Sequence, residues 1–370
     1  MKTKNLYLVI LILGLISWNC SKTTLTNSTP ATQVSLKSAL TQGVQDLSTA
    51  VSAIKSSTGY QVVAGPADLL TKSAVMSPWD TATTSILLSN IAGVYDYKAK
   101  VFKRGHMAMM RFFNKTADSS LMVVRLPEEK IAGSKKMLSY SPSDTLLANN
   151  YKITISDYQL KFGHGFGRSY QMASSTNIKG VDAGTLKISS TKNRTTGYNF
   201  SSEYDFPNGF ITKCLNIPGD TAVSTYSISN GTKVLYEEKY TAIRTDSMSR
   251  HREKEFSLTI GDVMIVRQLG HGQASLDSAK VYVAGVLQLK SKVEVVDNTT
   301  NTPSDDADKC VTNHKRDLKI TFDDGTTKTL TELTGAVIDN IGTLFTSLRQ
   351  AYFGTAIIDW IAWDVYTKKL

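Results

Sequence analysis

The sequence predicts a mainly β protein of the α+β class. One large, curved antiparallel sheet, curling toward a barrel or half-barrel, would carry an N-terminal and a C-terminal helix. Three observations predict this. Between about residue 92 and residue 322, apolar side chains recur at every second position, the mark of strands with one buried and one wet face. Turn signals punctuate these runs, Asn230-Gly231 and Asp324-Gly325 among them. Periods of three and four appear only near the two ends of the chain.

The chain starts with Lys2 and Lys4, followed by an apolar run from Leu6 to Ile16. A membrane-spanning helix needs roughly 20 apolar residues, and this run is shorter. It fits the hydrophobic segment of an export signal. Leu15-Ile16-Ser17-Trp18-Asn19-Cys20 follows, and the chain then turns polar. A cysteine in that position resembles the lipobox of bacterial lipoproteins, in the looser form of the Bacteroidota. Asn19 and Trp18 depart from the usual pattern, in which a small residue precedes the cysteine. The resemblance implies cleavage before Cys20, acylation of its thiol, and residence in the cell envelope on the outer membrane. It covers about 20 residues and says nothing of the rest. Several acyl chains give stable attachment, since each buried methylene contributes about 0.8 kcal/mol.

This organisation divides the chain into a signal at 1–19, a lipidated cysteine with a Ser/Thr-rich tether at 20–34, and a single β-rich domain at 35–370. Fully extended, the tether would reach about 45 Å. Leu36, Leu40, Val44, Leu47, Val51 and Ile54 then share one helical stripe, closed by Ser56-Ser57-Thr58-Gly59.

Strand patterns follow in order. Tyr95, Tyr97, Ala99 and Val101 alternate with Asp96, Lys98 and Lys100. Tyr151, Ile153 and Ile155 alternate likewise, as do Phe256, Leu258 and Ile260. Leu287, Leu289, Val293 and Val295 read as one more alternating run, and Leu318, Ile320 and Phe322 as another. The span from Asp297 to Asp308 reads as a polar loop. A second helix is expected from about Thr331 to Tyr352, ended by Gly354. Ala356 to Tyr366 could be a final strand or a short buried helix.

Composition narrows the function. The formal charge of +10 falls to +8 when Lys2 and Lys4 leave with the signal. Such a balance favours anionic headgroups, polyanions or acidic glycans, or else serves solubility. No aromatic–basic pattern of a nucleic-acid fold is present, and an exported chain has no nucleic-acid partner to meet. With Cys20 acylated, Cys214 and Cys310 remain as a disulfide candidate. In the chain-entropy account that bridge would contribute roughly 4–5 kcal/mol, and two separate buried thiols are the alternative.

Chemical motifs are sparse. Gly163-His164-Gly165 and Gly270-His271-Gly272 present imidazoles on turns, either as ligand contacts or as plain strand ends. Gly163, Gly165 and Gly167 lack the order of a phosphate cradle. Asp305, Asp306 and Asp308 lack the calcium-loop order. Neither a nucleophile elbow nor a zinc-protease helix motif occurs. Trp360 and Trp363 could face a ligand or fill the core. No catalytic residue, metal or cofactor is expected, and an enzyme is not the favoured reading. The expectation is a non-catalytic lipoprotein, anchored by its lipid, that binds a hydrophobic ligand or another envelope protein. The alternatives are a carrier holding lipid in a β-sheet cavity and a hydrolase acting on cell-envelope glycans.

Overall fold

Helix α1 (Leu36–Ser56) forms where the stripe predicts it. The Ser35 hydroxyl caps it, accepting from the Ser38 backbone N–H at 3.2 Å. Leu36, Leu40, Leu47, Val51 and Ile54 are buried along one face. Ser57 interrupts the helix, but Thr58–Val63 resumes it as α2, so the expected stop is only a break.

The computed structural model describes residues 35–63, 84–98, 112–130, 145–163, 167–193, 197–244, 252–269, 279–297, 300–303, 310–313, 316–350 and 352–369. The expected signal and tether, with Cys20, lie outside them. So do Ala99 and Val101.

Strand β1 (Thr84–Leu87), helix α3 (Leu88–Ile91), and strands β2 (Gly93–Tyr97), β3 (Phe113–Ala117) and β4 (Met122–Leu126) form one side of the sheet. Tyr95 and Tyr97 are buried, as the alternation requires. Eleven strands then run in chain order: β5 (Tyr151–Gly163), β6 (Gly167–Ile178), β7 (Val181–Asn193), β8 (Gly197–Asp205), β9 (Phe210–Ile217), β10 (Thr221–Asn230), β11 (Lys233–Arg244), β12 (Arg252–Ile260), β13 (Val263–Leu269), β14 (Lys280–Val283) and β15 (Val286–Leu287). Each pairs antiparallel with the next, a meander of hairpins. The Asn230-Gly231 hairpin stands as predicted, with Gly231 at φ +57°.

The 15-stranded sheet stays open. Its path ends at β3 on one side and at β15 on the other, and β15 is too short to carry a closing ladder. The sheet therefore forms no closed barrel, and the parallel pair of β2 with β4 makes it mixed.

Three further readings are corrected. Residues 287–295 are not one strand: the chain turns at Leu289, which is 87% exposed, and starts a separate small sheet at β16 (Lys292–Asp297). The polar loop contains β17 (Thr300–Pro303), paired with β18 (Cys310–Asn313). The β16 sheet is completed by β19 (Arg316–Thr321) and β20 (Thr327–Thr329), joined by the predicted turn at Asp324-Gly325. The helix expected from about Thr331 to Tyr352 is two, α4 (Leu330–Thr334) and α5 (Val337–Gln350), and the stretch Ala356 to Tyr366, left open between strand and helix, lies in helix α6 (Tyr352–Lys369). Gly335 breaks the first pair at φ +52°, while Gly354 lies inside α6 instead of ending a helix.

One hydrophobic core joins the helices to one face of the sheet. Helix α1 crosses the turns of the central hairpins. Lys233, the first residue of β11, pairs with Asp46 at 3.1 Å, and Asn208, in the β8–β9 turn, donates to the Ala53 carbonyl at 3.0 Å. At the β12–β13 turn the backbones touch. A Cβ on Gly43 would lie 2.8 Å from the Ile260 carbonyl oxygen, so only glycine fits.

Candidate functional site

Strand register sorts every side chain of the meander onto one of two faces. On the helix-bearing face one row runs Tyr158, Met172, Ile188, Ser202, Cys214, Tyr226, Glu238, Leu258, Ile265 across β5 to β13. The next row runs Leu160, Tyr170, Ser190, Phe200, Asn216, Ser224, Tyr240, Phe256, Arg267. The opposite face is wet and charge-paired, with Lys187 and Lys213 flanking Glu203 at 2.9 and 3.3 Å.

The two rows change character along the sheet. Over β5 and β6 they are buried. Over β8 to β12 the same face holds Phe200, Tyr226, Tyr240 and Phe256 only half-buried, interleaved with Ser202, Asn216, Ser224 and Glu238. Tyr198, on the same face of β8, is 49% exposed and stacks on Phe200 with centroids 6.1 Å apart. The polar groups are pre-set. Ser224 donates to Asn216 Oδ1 at 2.8 Å, and Asn216 Nδ2 donates to the Tyr198 carbonyl at 2.7 Å. The buried Tyr236 hydroxyl donates to Glu238. The result is an aromatic strip with fixed hydrogen-bonding groups, on the side of the sheet that is core elsewhere.

Beside the strip, α6 lies over β5 and β6. Asp359 accepts the Tyr158 hydroxyl at 2.9 Å, and the Tyr170 hydroxyl, which donates to Met172 Sδ at 3.4 Å, lies beside it. Burial pushes the Asp359 carboxyl up from 3.8 to about 6, against the pull of the two hydroxyls and of Arg168. Burial, and then the Asp359 charge, push both phenols well above their ordinary range. The Arg168 guanidinium lies 5.8 and 5.7 Å from the Phe162 and Tyr170 ring centres. Trp363 meets Phe162 edge-on at 6.3 Å. This cluster clamps helix to sheet, and its single carboxylate is enclosed by phenols.

The sequence-predicted site residues fare unevenly. Trp360 and Trp363 pack against the core between α6 and the sheet and are half-buried there. Cys214 is buried in β9 on the helix-bearing face. Cys310 stands in β18, but its side chain lies outside the described residues, so the disulfide expectation falls there too. His164, His271 and the acidic group Asp305, Asp306 and Asp308 also lie outside them. Gly163 and Gly167 pair with each other at the tip of the β5–β6 hairpin. Among the described residues no group of three or more His, Cys, Asp or Glu is placed to hold a metal. No described helix is long and apolar enough to cross a membrane.

Sequence reasoning missed both the strip and the Asp359 cluster. One signal for the latter is visible: Asp359 is the only charge between Ile357 and Trp363. In comparisons with known proteins, no family model, no curated protein and no solved structure matches this chain.

Proposed function

We propose that the chain is a lipid-anchored envelope protein whose β8–β12 strip binds a ligand with an apolar body, without chemical turnover. The observation that carries this reading is the half-buried run Phe200, Tyr226, Tyr240 and Phe256, which edges the core on the helix-bearing face, with Phe200, Tyr226 and Phe256 packed against that core. Aromatic side chains left at a partly wet surface, among a few fixed polar groups, are the usual composition of a ligand site. Helix α1 crosses one end of the strip and α6 flanks one side, so the binding groups stand on rigid elements. The anchor at Cys20 and the outer-membrane location are proposed with it, on the lipobox resemblance.

The carrier and hydrolase alternatives differ in what they need. A carrier needs the ligand to leave again, which an open face allows more readily than a sealed cavity. Glycan cleavage normally uses two carboxylates flanking the bond, and the Asp359 cluster holds one. The test is titration of the full chain with N-phenyl-1-naphthylamine, a neutral apolar fluorophore. Saturable binding that weakens when Tyr240 and Phe256 are both changed to Ser supports the reading. Binding untouched by those changes contradicts it.

A further inference from the structure

Register also sorts charge, and it does so unevenly. In β12 the run Arg252-Glu253-Lys254-Glu255 alternates in sign. Both basic residues therefore share the face of Phe256, and both acids point to the other side. Arg252 stands directly opposite Arg244 of β11. Lys254 stands between Ala242 and Leu269, and Phe256 between Tyr240 and Arg267. Arg244, Arg252, Lys254 and Arg267 thus occupy one corner of three neighbouring strands, at the end of the aromatic strip. Directly opposite Cβ atoms lie about 5 Å apart and diagonal ones about 7–8 Å: Arg244 is directly opposite Arg252, and Lys254 is diagonal to both Arg244 and Arg267, so a head group beside Lys254 has a basic side chain on either side.

Two observations show that, among the described residues, this corner is not balanced from within. Like charges directly opposite one another weaken a strand pair, yet Arg244 faces Arg252, while Lys187 and Lys213 on the other face flank a glutamate. Asp220, at 3.3 Å from Arg244, has a side chain 82% exposed, and Glu238 already accepts from the Tyr236 hydroxyl. In addition, Arg267 Nε is buried with no hydrogen-bond partner among the described residues. A buried N–H of that kind is rare, and an anionic oxygen is the acceptor that suits it.

We propose that this corner takes the anionic head, phosphate or carboxylate, of an amphipathic ligand whose apolar body lies along Phe256, Tyr240 and Tyr226. The inference rests on reading the strip as a binding face and adds the charge of what it binds. A lipid headgroup and a free oxyanion share the head chemistry, and they differ in whether the apolar body contributes.

The full chain is titrated with dodecyl phosphate, with neutral dodecyl maltoside and with inorganic phosphate, the amphiphiles kept below their micelle concentrations. Dodecyl phosphate is expected to bind about tenfold tighter than the maltoside, the effect of one added charge-assisted hydrogen bond. The double change Arg252→Gln with Lys254→Gln should erase that preference. Its retained maltoside affinity shows that the variant is folded, and Arg244→Gln alone should give part of the loss. Equal affinity for the two amphiphiles overturns the inference and leaves the binding face standing. Inorganic phosphate binding as tightly as dodecyl phosphate overturns it as well, since the apolar body would then contribute nothing. Failure of both amphiphiles to bind overturns the binding face itself.

Discussion

Asp359→Asn should stabilise the protein at neutral pH. Replacing a carboxylate that accepts a hydroxyl and lies near a guanidinium would ordinarily do harm, because removing one partner of a buried ion pair costs about 3–5 kcal/mol. Here the balance runs the other way. Burial outweighs Tyr158, Tyr170 and Arg168 together and holds the carboxyl at about 6 instead of 3.8. At about 1.36 kcal/mol per unit, the ionised form costs the fold up to about 3 kcal/mol. The sign follows from proton binding. Between about pH 4 and pH 6 the folded chain holds a proton that the unfolded chain has lost, so this residue's contribution falls as pH rises through that window and is flat above it. Asparagine is neutral throughout. The variant should exceed the parent by about 1–3 kcal/mol at about pH 7.5, the lower figure allowing for a weaker bond to the Tyr158 hydroxyl. The difference should shrink toward zero near about pH 4. Urea unfolding followed by far-ultraviolet circular dichroism at the two pH values measures it. Equal destabilisation at both would contradict this, and would show that the Tyr158 hydrogen bond and the attraction of Arg168 dominate.

Two other expectations rest on the same structure and a third on the lipobox resemblance. Tyr158→Phe removes the 2.9 Å donor to Asp359 and should cost about 1–3 kcal/mol, more at neutral than at acid pH; a pH-independent loss would point to packing alone. Gly43→Ala places a Cβ 2.8 Å from the Ile260 carbonyl oxygen and should cost about 1–3 kcal/mol by overpacking, although alanine in an open helix gains about 1 kcal/mol; a net gain in urea unfolding would mean that α1 does not rest on the β12–β13 turn. Cys20→Ser should shift the chain from the membrane to the soluble fraction on fractionation, and unchanged partitioning would remove the proposed anchor.

How much of this was legible in the sequence depended on distance along the chain. Helix α1 and the strand-rich middle follow local periodicity, because each element buries one face and the pattern repeats within a few residues. The hairpin at Asn230-Gly231 is likewise local. Elements that depend on irregular backbone were not legible. A bulge at Ser156 shifts the buried set of β5 from Ile155 to Tyr158, where strict alternation would have selected Asp157. Gly335 and Ser57 break helices at places where the apolar spacing continues. The Asp359 cluster joins residues 201 apart, which no spacing rule can bring together. The aromatic strip and its basic corner needed the register of successive hairpins. Taken alone, Phe200, Tyr226, Tyr240, Phe256 and Arg267 look like ordinary strand residues.

The central claim is that the β8–β12 face is where a ligand binds. Photo-crosslinking with a diazirine-bearing alkyl phosphate, followed by peptide mass mapping of the full chain, tests it most directly. The account predicts adducts on β8, β10, β11 and β12, at or beside Phe200, Tyr226, Tyr240 and Phe256, that are lost to competing dodecyl phosphate. Adducts confined to the wet face, at residues such as Lys187, Glu203 and Lys213, or spread without competition over the whole chain, would contradict it.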